Sequence, residues 1–188
     1  MSDTIVAPAT PPGEGGIAVI RLSGFDSVSL VSHVLSSNDQ SFCGQSMLPR
    51  KMVHGWLYDP FSKAFFDEVL SVWMPAPHSY TGEDVVEIHT HGSPVVVART
   101  LKCLTSLGAR IAHPGEFSRR AFLNGRMDLA RVEAVRDMIH ARTIQGQEIA
   151  FHVLSGRLSS FVQEARKSVS DLLARLYLNV DFPDENLE

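Results

Sequence analysis

The stretch Tyr80-Thr-Gly-Glu-Asp-Val-Val-Glu-Ile-His-Thr-His-Gly92, followed directly by Ser93 and Pro94, contains a turn, a strand and the start of a helix. From Val85 onward a period of two puts Val86 and Ile88 on one face and Glu87, His89 and His91 on the other. Gly92 ends the strand, Ser93 suits an N-cap and Pro94 the first helical position. Apolar residues at Val97, Leu101 and Leu104 then predict a helix that runs to Gly108. The polar face has two readings. It is either the wetted side of an antiparallel sheet or a site where one carboxylate and two imidazoles meet. The His-x-His spacing suits zinc, yet no second Cys/His cluster or helical histidine pair completes a ligand set.

Toward the N-terminus, residues 4–10 and 17–22 read as two strands joined by a Pro-Pro-Gly loop. Arg21 is the only charge in the second strand. It must reach the surface or find an acidic partner or a ligand. A short amphipathic helix is expected over 26–36, with Val28, Val31, Val34 and Leu35 on its apolar face, and a loop over 36–49. Residues 51–58 and 66–74 alternate as a hairpin around Asp59 and Pro60. The Pro75-Ala76-Pro77 segment is a stiff link into the opening stretch.

Toward the C-terminus, residues 109–113 form a short edge strand, after which helical period takes over. A helix over 117–123 is closed by Asn124-Gly125, and Asp128 caps the next one, with Met127 and Val132 spaced as a hydrophobic staple. From Gln147 to Asn179 apolar residues recur at three- and four-residue steps, predicting one long helix with a kink at Gly156 and a stop at Pro183. A helix of ~30 residues is about 45 Å long, more than the preceding domain can cover. Its seam needs a second copy of the chain or helices from elsewhere. The expected organisation is therefore α+β: a mixed-sheet domain over 1–117 and an incomplete all-α domain over 118–188.

The 188 residues carry a net charge of −4, with 44% hydrophobic and 20% charged residues, so no overall basic footprint for nucleic acid exists. Any RNA contact has to be local. There is no signal-peptide pattern and no apolar run of about 18 residues, so a cytoplasmic protein without membrane contact is expected. Cys43 and Cys103 lack metal or redox spacing, and Cys103 fits a buried small hydrophobe. Leu187-Glu188 reads equally well as native sequence or as a cloning remnant.

Four motifs now stand in order: Asp3 to Gly24 (DTIVAPATPPGEGGIAVIRLSG), Tyr80 to Gly92, Ala112 to Leu129 (AHPGEFSRRAFLNGRMDL) and Asn179 to Glu185 (NVDFPDE). Together they resemble the N-terminal region of the tRNA-modification GTPase family MnmE, also called TrmE, over nearly the whole chain. The resemblance implies a domain similar to the tetrahydrofolate-binding domain of the glycine-cleavage T protein, which also forms a homodimer, followed by the start of a helical domain. It also implies work with the flavoprotein MnmG on the wobble uridine of tRNA at carbon 5, a tetrahydrofolate such as 5-formyltetrahydrofolate being the one-carbon carrier. The family's GTP, Mg and K sites belong to a G domain; no Gly-x-x-x-x-Gly-Lys-Ser/Thr phosphate loop occurs in these 188 residues, so no GTPase activity is expected of them alone.

Chemistry and resemblance together select three cofactor-binding candidates. A reduced pterin presents its 2-amino group and N3–H side by side, and one carboxylate accepts both. Glu87 matches the family's folate-binding glutamate. Arg21 aligns with a ligand-binding arginine, and Arg126 stands where the family more often has lysine, a cation for folate's acceptors. Glu83 and Asp84 are assigned to the turn, and His91 to the ligand or the turn. No residue is assigned a catalytic or metal-binding role. Two other readings compete: a dimerisation and docking module without folate, and a metal-dependent hydrolase built on Glu87, His89 and His91.

Overall fold

A computed structural model of the chain describes residues 3–42, 44 and 46–181. The readings placed on Cys43, on Pro183 as a helix stop, on Leu187 and Glu188, and on the end of the last motif lie outside those residues. The chain divides into two compact units, Met1–Arg126 and Met127–Glu188.

The first unit is a seven-stranded mixed sheet in the order β3-β4-β5-β6-β2-β1-β7. Its strands are β1 (Ile5–Pro8), β2 (Gly15–Ser23), β3 (Leu35–Ser36), β4 (Met52–Asp59), β5 (Ala64–Met74), β6 (Val85–Gly92) and β7 (Arg110–Ile111). Strand β6 lies near the centre, antiparallel to both β5 and β2. Among the named strands of the described residues, only β7 pairs in parallel, along β1.

One face of this sheet carries the core. Val6, Ile20, Leu22, Val86 and Ile88 point from the strands toward Val31 of α1 (Ser27–Ser32) and Cys103 and Leu104 of α2 (Pro94–Ser106). Each such aliphatic side chain, once buried, contributes about 1.5–3 kcal/mol by leaving water. The Cys103 thiol is pushed up to about 11 by burial, which keeps it protonated and inert. The apolar half of the alternation in β6 is thus buried under two helices, and its polar half faces away from them.

Three expectations change in detail. The helix expected over 26–36 ends at Ser32, because Val34 and Leu35 are buried by the turn into β3, where Leu35 and Ser36 pair with Leu57 and Trp56 of β4. Ser36 thereby belongs to the sheet and not to a loop. Ser93 has the extended backbone of an N-cap, yet its side chain makes no capping bond; Pro94 at the first helical position leaves fewer donors to satisfy. Gly92 is the last residue of β6 because a Cβ there would lie 2.3 Å from the Gly15 carbonyl oxygen, so β2 and β6 approach at a point only glycine fits.

The second unit contains α4 (Leu129–His140), α5 (Ile144–Leu154) and α6 (Arg157–Asp181). Asp128 caps α4, accepting from the Arg131 amide at 2.9 Å, and Thr143 caps α5 in the same way, accepting from the Gly146 amide. Helices α4 and α5 pack through the buried small residues Ala134 and Ala150. The single long helix expected from Gln147 onward is two helices. Gly156 adopts φ +88°, a left-handed conformation that ends α5 and that L side chains rarely take, and Arg131 donates to the Leu154 carbonyl oxygen at the same joint. Along α6 the seam residues Phe161, Val169, Leu172 and Leu176 are exposed. No helix among the described residues is long and apolar enough to cross a membrane.

Candidate functional site

On the sheet face away from α1 and α2, the register places Arg21 of β2 directly beside Glu87 of β6. Arg21 donates from Nε to Glu87 Oε1 at 2.8 Å, and its Nη2 lies 2.7 Å from the same oxygen as an ion pair. Glu87 Oε2 accepts no hydrogen bond from the described residues; its near neighbour is His89 Nε2 at 3.7 Å. Oε1 therefore keeps room for one further donor beside Arg21, and Oε2 is open. Both side chains are partly shielded, Arg21 at 25% and Glu87 at 18% exposure, so the ion pair has lost much of its water without being sealed off.

Arg21 is held from above by two aromatic rings. Its guanidinium carbon lies 5.1 Å from the centroid of Tyr80 and 5.8 Å from that of Phe117, within cation–π range. Phe117 belongs to α3 (Glu116–Leu123), which begins after Gly115 in a left-handed conformation. The Tyr80 hydroxyl meets Ser118 Oγ at 2.9 Å, tying the loop before β6 to the same helix.

Arg126, third of the residues expected to bind a ligand, follows the Asn124-Gly125 turn and donates from Nε to the Ser79 carbonyl oxygen at 3.0 Å. Arg126 is thus tied to the residue next to Tyr80, whose ring lies against Arg21. No described residue takes the Nη groups of Arg126, which is exposed. Asn124 Nδ2 supports the same loop by donating to the Thr81 carbonyl oxygen at 2.8 Å.

The loop from Ser79 to Asp84 also rests on an ion cluster that reasoning from sequence missed. Arg120, with its side chain only 9% exposed, donates from Nη1 to Glu83 Oε2 at 3.0 Å and from Nη2 to Asp3 Oδ1 at 2.7 Å and Glu116 Oε1 at 3.2 Å. Arg110 joins the cluster through Glu116 Oε1 at 2.6 Å and through Asp3. Glu83, first assigned to the turn, is an ion-pair anchor that also accepts from Ser23 Oγ. Asp84 is nearer that expectation, accepting from the Ala76 amide and the Trp73 indole. The Glu116-x-x-x-Arg120 spacing was a legible helical pair; the partners contributed by Asp3 and Glu83, 117 and 37 positions away, were not.

This cluster gives the fold an acid limit. Hydrogen bonds from Arg110, aided by the His113 amide and Arg120, hold the Glu116 carboxyl down at about 2 against its ordinary 4.5. Arg110 likewise lowers Asp3. A carboxyl depressed on folding contributes stability that is fully present above its unfolded value and is lost as pH falls through its folded one. The urea midpoint is thus expected to fall as pH drops from about 4.5 toward about 2, and to fall less steeply in Arg110→Ala; equal slopes in the two proteins would contradict the assignment.

The histidines are not grouped as a metal would need. His91 is turned toward Asp67, which accepts from both its Nδ1 and its backbone amide and raises the imidazole's proton affinity. No set of three His, Cys, Asp or Glu side chains suited to a metal occurs among the described residues. A separate cavity of about 450 Å³ lies between the Pro11-Pro12-Gly13 loop and Pro94, Val97 and Leu101 of α2. It presents apolar walls and no charged side chain, so it lacks the anion and cation of the Glu87 site.

Compared with known proteins, residues 4–126 match the family model described as "GTP-binding protein TrmE N-terminus", and residues 129–188 match "MnmE helical domain". Proteins named "tRNA modification GTPase MnmE" are similar along the whole chain. The one from Thermotoga petrophila is 44% identical over 97% of this chain and 39% of its own length. Those from Natranaerobius thermophilus and Alkaliphilus oremlandii are 45% and 40% identical, over 99% and 100% of this chain and 40% and 41% of theirs. The chain thus spans about two fifths of the length of these relatives.

Proposed function

Because the chain belongs to the MnmE family of tRNA-modification GTPases, matching its N-terminal and helical parts, we propose that its first unit binds a tetrahydrofolate of the 5-formyl type and pairs with a second copy. The observation that carries the folate reading is the Glu87 carboxylate, with Oε1 oriented by one hydrogen bond from Arg21 and able to accept a second, and Oε2 free for a donor. A pterin's 2-amino group and N3–H fit such a carboxylate as an arginine fork does. Tyr80 and Phe117 flank the site with aromatic surface, and the Nη groups of Arg126 offer donors to the carbonyl and carboxylate end of the ligand. The residues present therefore fit the group.

The dimer reading rests on the same sheet face. Ile17, Leu70 and Met52 lie in register beside His91, His89 and Val72 and are 67%, 42% and 51% exposed. Exposed apolar side chains on the sheet face away from α1 and α2 are what a second copy would cover. In the complete protein this module would serve modification of the wobble uridine of tRNA alongside an MnmG-like flavoprotein. GTP, Mg and K would be handled by other sequence, since no phosphate loop occurs here.

Equilibrium dialysis and sedimentation velocity on the 188-residue chain test both halves. The expected result is a dimer that takes up one folate per chain and turns over no GTP. A dimer that ignores folate would favour the rival reading, an assembly module retained for docking alone. A monomer at micromolar concentration would remove the role given to the Ile17, Leu70 and Met52 face.

A further inference from the structure

Among the described residues, His89 Nε2 is the one buried side-chain nitrogen or oxygen with no hydrogen-bond partner. A buried polar atom without a partner is a standing cost to the fold, and such atoms concentrate where a ligand or water completes the pairing. This one stands 3.7 Å from Glu87 Oε2, too far for a hydrogen bond and wide enough for a ligand edge to bridge the two. It is also on the side of the carboxylate that Arg21 does not occupy. The ring itself keeps 26% of its side-chain surface exposed and borders a depression of about 270 Å³ shared with Ile17, Leu70 and His91.

We propose that His89 reads the oxygen at C4 of the pterin. This rests on the folate reading above and goes one contact further. On the edge of a pterin the 2-amino group, N3–H and C4 oxygen follow in order as donor, donor, acceptor. Set against this protein, Glu87 Oε1 faces the 2-amino group and Oε2 faces N3–H. His89, in the tautomer that carries its proton on Nε2, donates to the C4 oxygen. The three atoms of the protein then repeat the ligand's order with opposite sense. The role is one of specificity. A ligand with an amino group at C4 has no hydrogen on N3, so it loses the pairing with Glu87 Oε2 as well, and it meets the Nε2–H of His89 donor to donor, so removing the imidazole costs it little.

Calorimetric titration of the full chain with two ligands, 5-formyltetrahydrofolate and its 4-amino-4-deoxy analogue, tests this. His89→Ala is expected to weaken the 4-oxo ligand about tenfold and to change the 4-amino ligand by less than about twofold, the scale of one neutral hydrogen bond. His89→Gln keeps an N–H donor and is expected to recover part of the loss. Unchanged affinity of His89→Ala for the 4-oxo ligand overturns the inference and leaves the folate reading standing. An equal loss for both ligands also overturns it, by marking His89 as a support of the pocket alone. Absence of 4-oxo binding by the wild-type chain overturns both.

Discussion

Arg120→Ala is expected to destabilise the first unit by about 3–5 kcal/mol, the usual cost of removing one partner from a buried ion cluster. Three carboxylates, those of Asp3, Glu83 and Glu116, meet this one guanidinium, and its Nη1 also holds the Asp3 carbonyl oxygen at 2.8 Å. Without Arg120, Glu83 keeps its Ser23 contact and Glu116 keeps Arg110, but their charges sit with less compensation at low exposure. For a chain of this size each kcal/mol shifts the melting temperature by about 2–4 °C, so a fall on the order of 10 °C should be seen by calorimetry. Loss of less than about 1 kcal/mol would mean that the cluster is solvated in solution and does not tie the Ser79 to Asp84 loop to α3.

Glu87→Ala is expected to weaken tetrahydrofolate binding by at least about 30-fold. The carboxylate is the single acceptor facing the ligand's paired donors, and deleting one side of a shielded charged pairing costs about 2–5 kcal/mol, part of it from the donors left unmatched. The fold should tolerate the change. Arg21 would lose its anion but keep the Tyr80 and Phe117 rings and a quarter of its surface in water, so a stability loss near 1 kcal/mol is expected. That separation of binding from folding makes the variant informative. A large fall in melting temperature with Glu87→Ala would instead show that the pair with Arg21 is structural.

Much of the sheet was legible because β6 states its faces in plain alternation. Val86 and Ile88 are buried, while Glu87 and His89 lie on the other side with intermediate exposure. The hairpin of β4 and β5 and the helix from Pro94 followed from the same local signals. The end of α1 was less legible, since Val34 and Leu35 fit a helical face by spacing and are pulled into the sheet by pairing with a strand about twenty positions on. Gly156 was read as a kink; its positive φ makes it a break, and only backbone geometry tells the two apart.

The site shows the same division between local and distant. Arg21 and Glu87 were singled out separately, one as an arginine without a partner in an apolar strand and one as an acid on a polar face. Their pairing depends on β2 lying beside β6, 66 positions apart, which a single sequence does not state. Arg120 escaped notice because Arg119-Arg120 reads as surface charge until Asp3 and Glu83 are brought in from other elements. His89 had drawn attention for zinc; its orphaned Nε2 beside Glu87 now gives it a different part, as a donor next to an acceptor.

The most direct test of the central claim is a calorimetric titration of 5-formyltetrahydrofolate into the wild-type chain, with Glu87→Ala as the paired control. The proposed site predicts saturable binding with one ligand per chain in the wild type and none detectable in Glu87→Ala at the same concentrations, with both proteins folded. No binding by the wild type, or equal affinity in the two proteins, would contradict it.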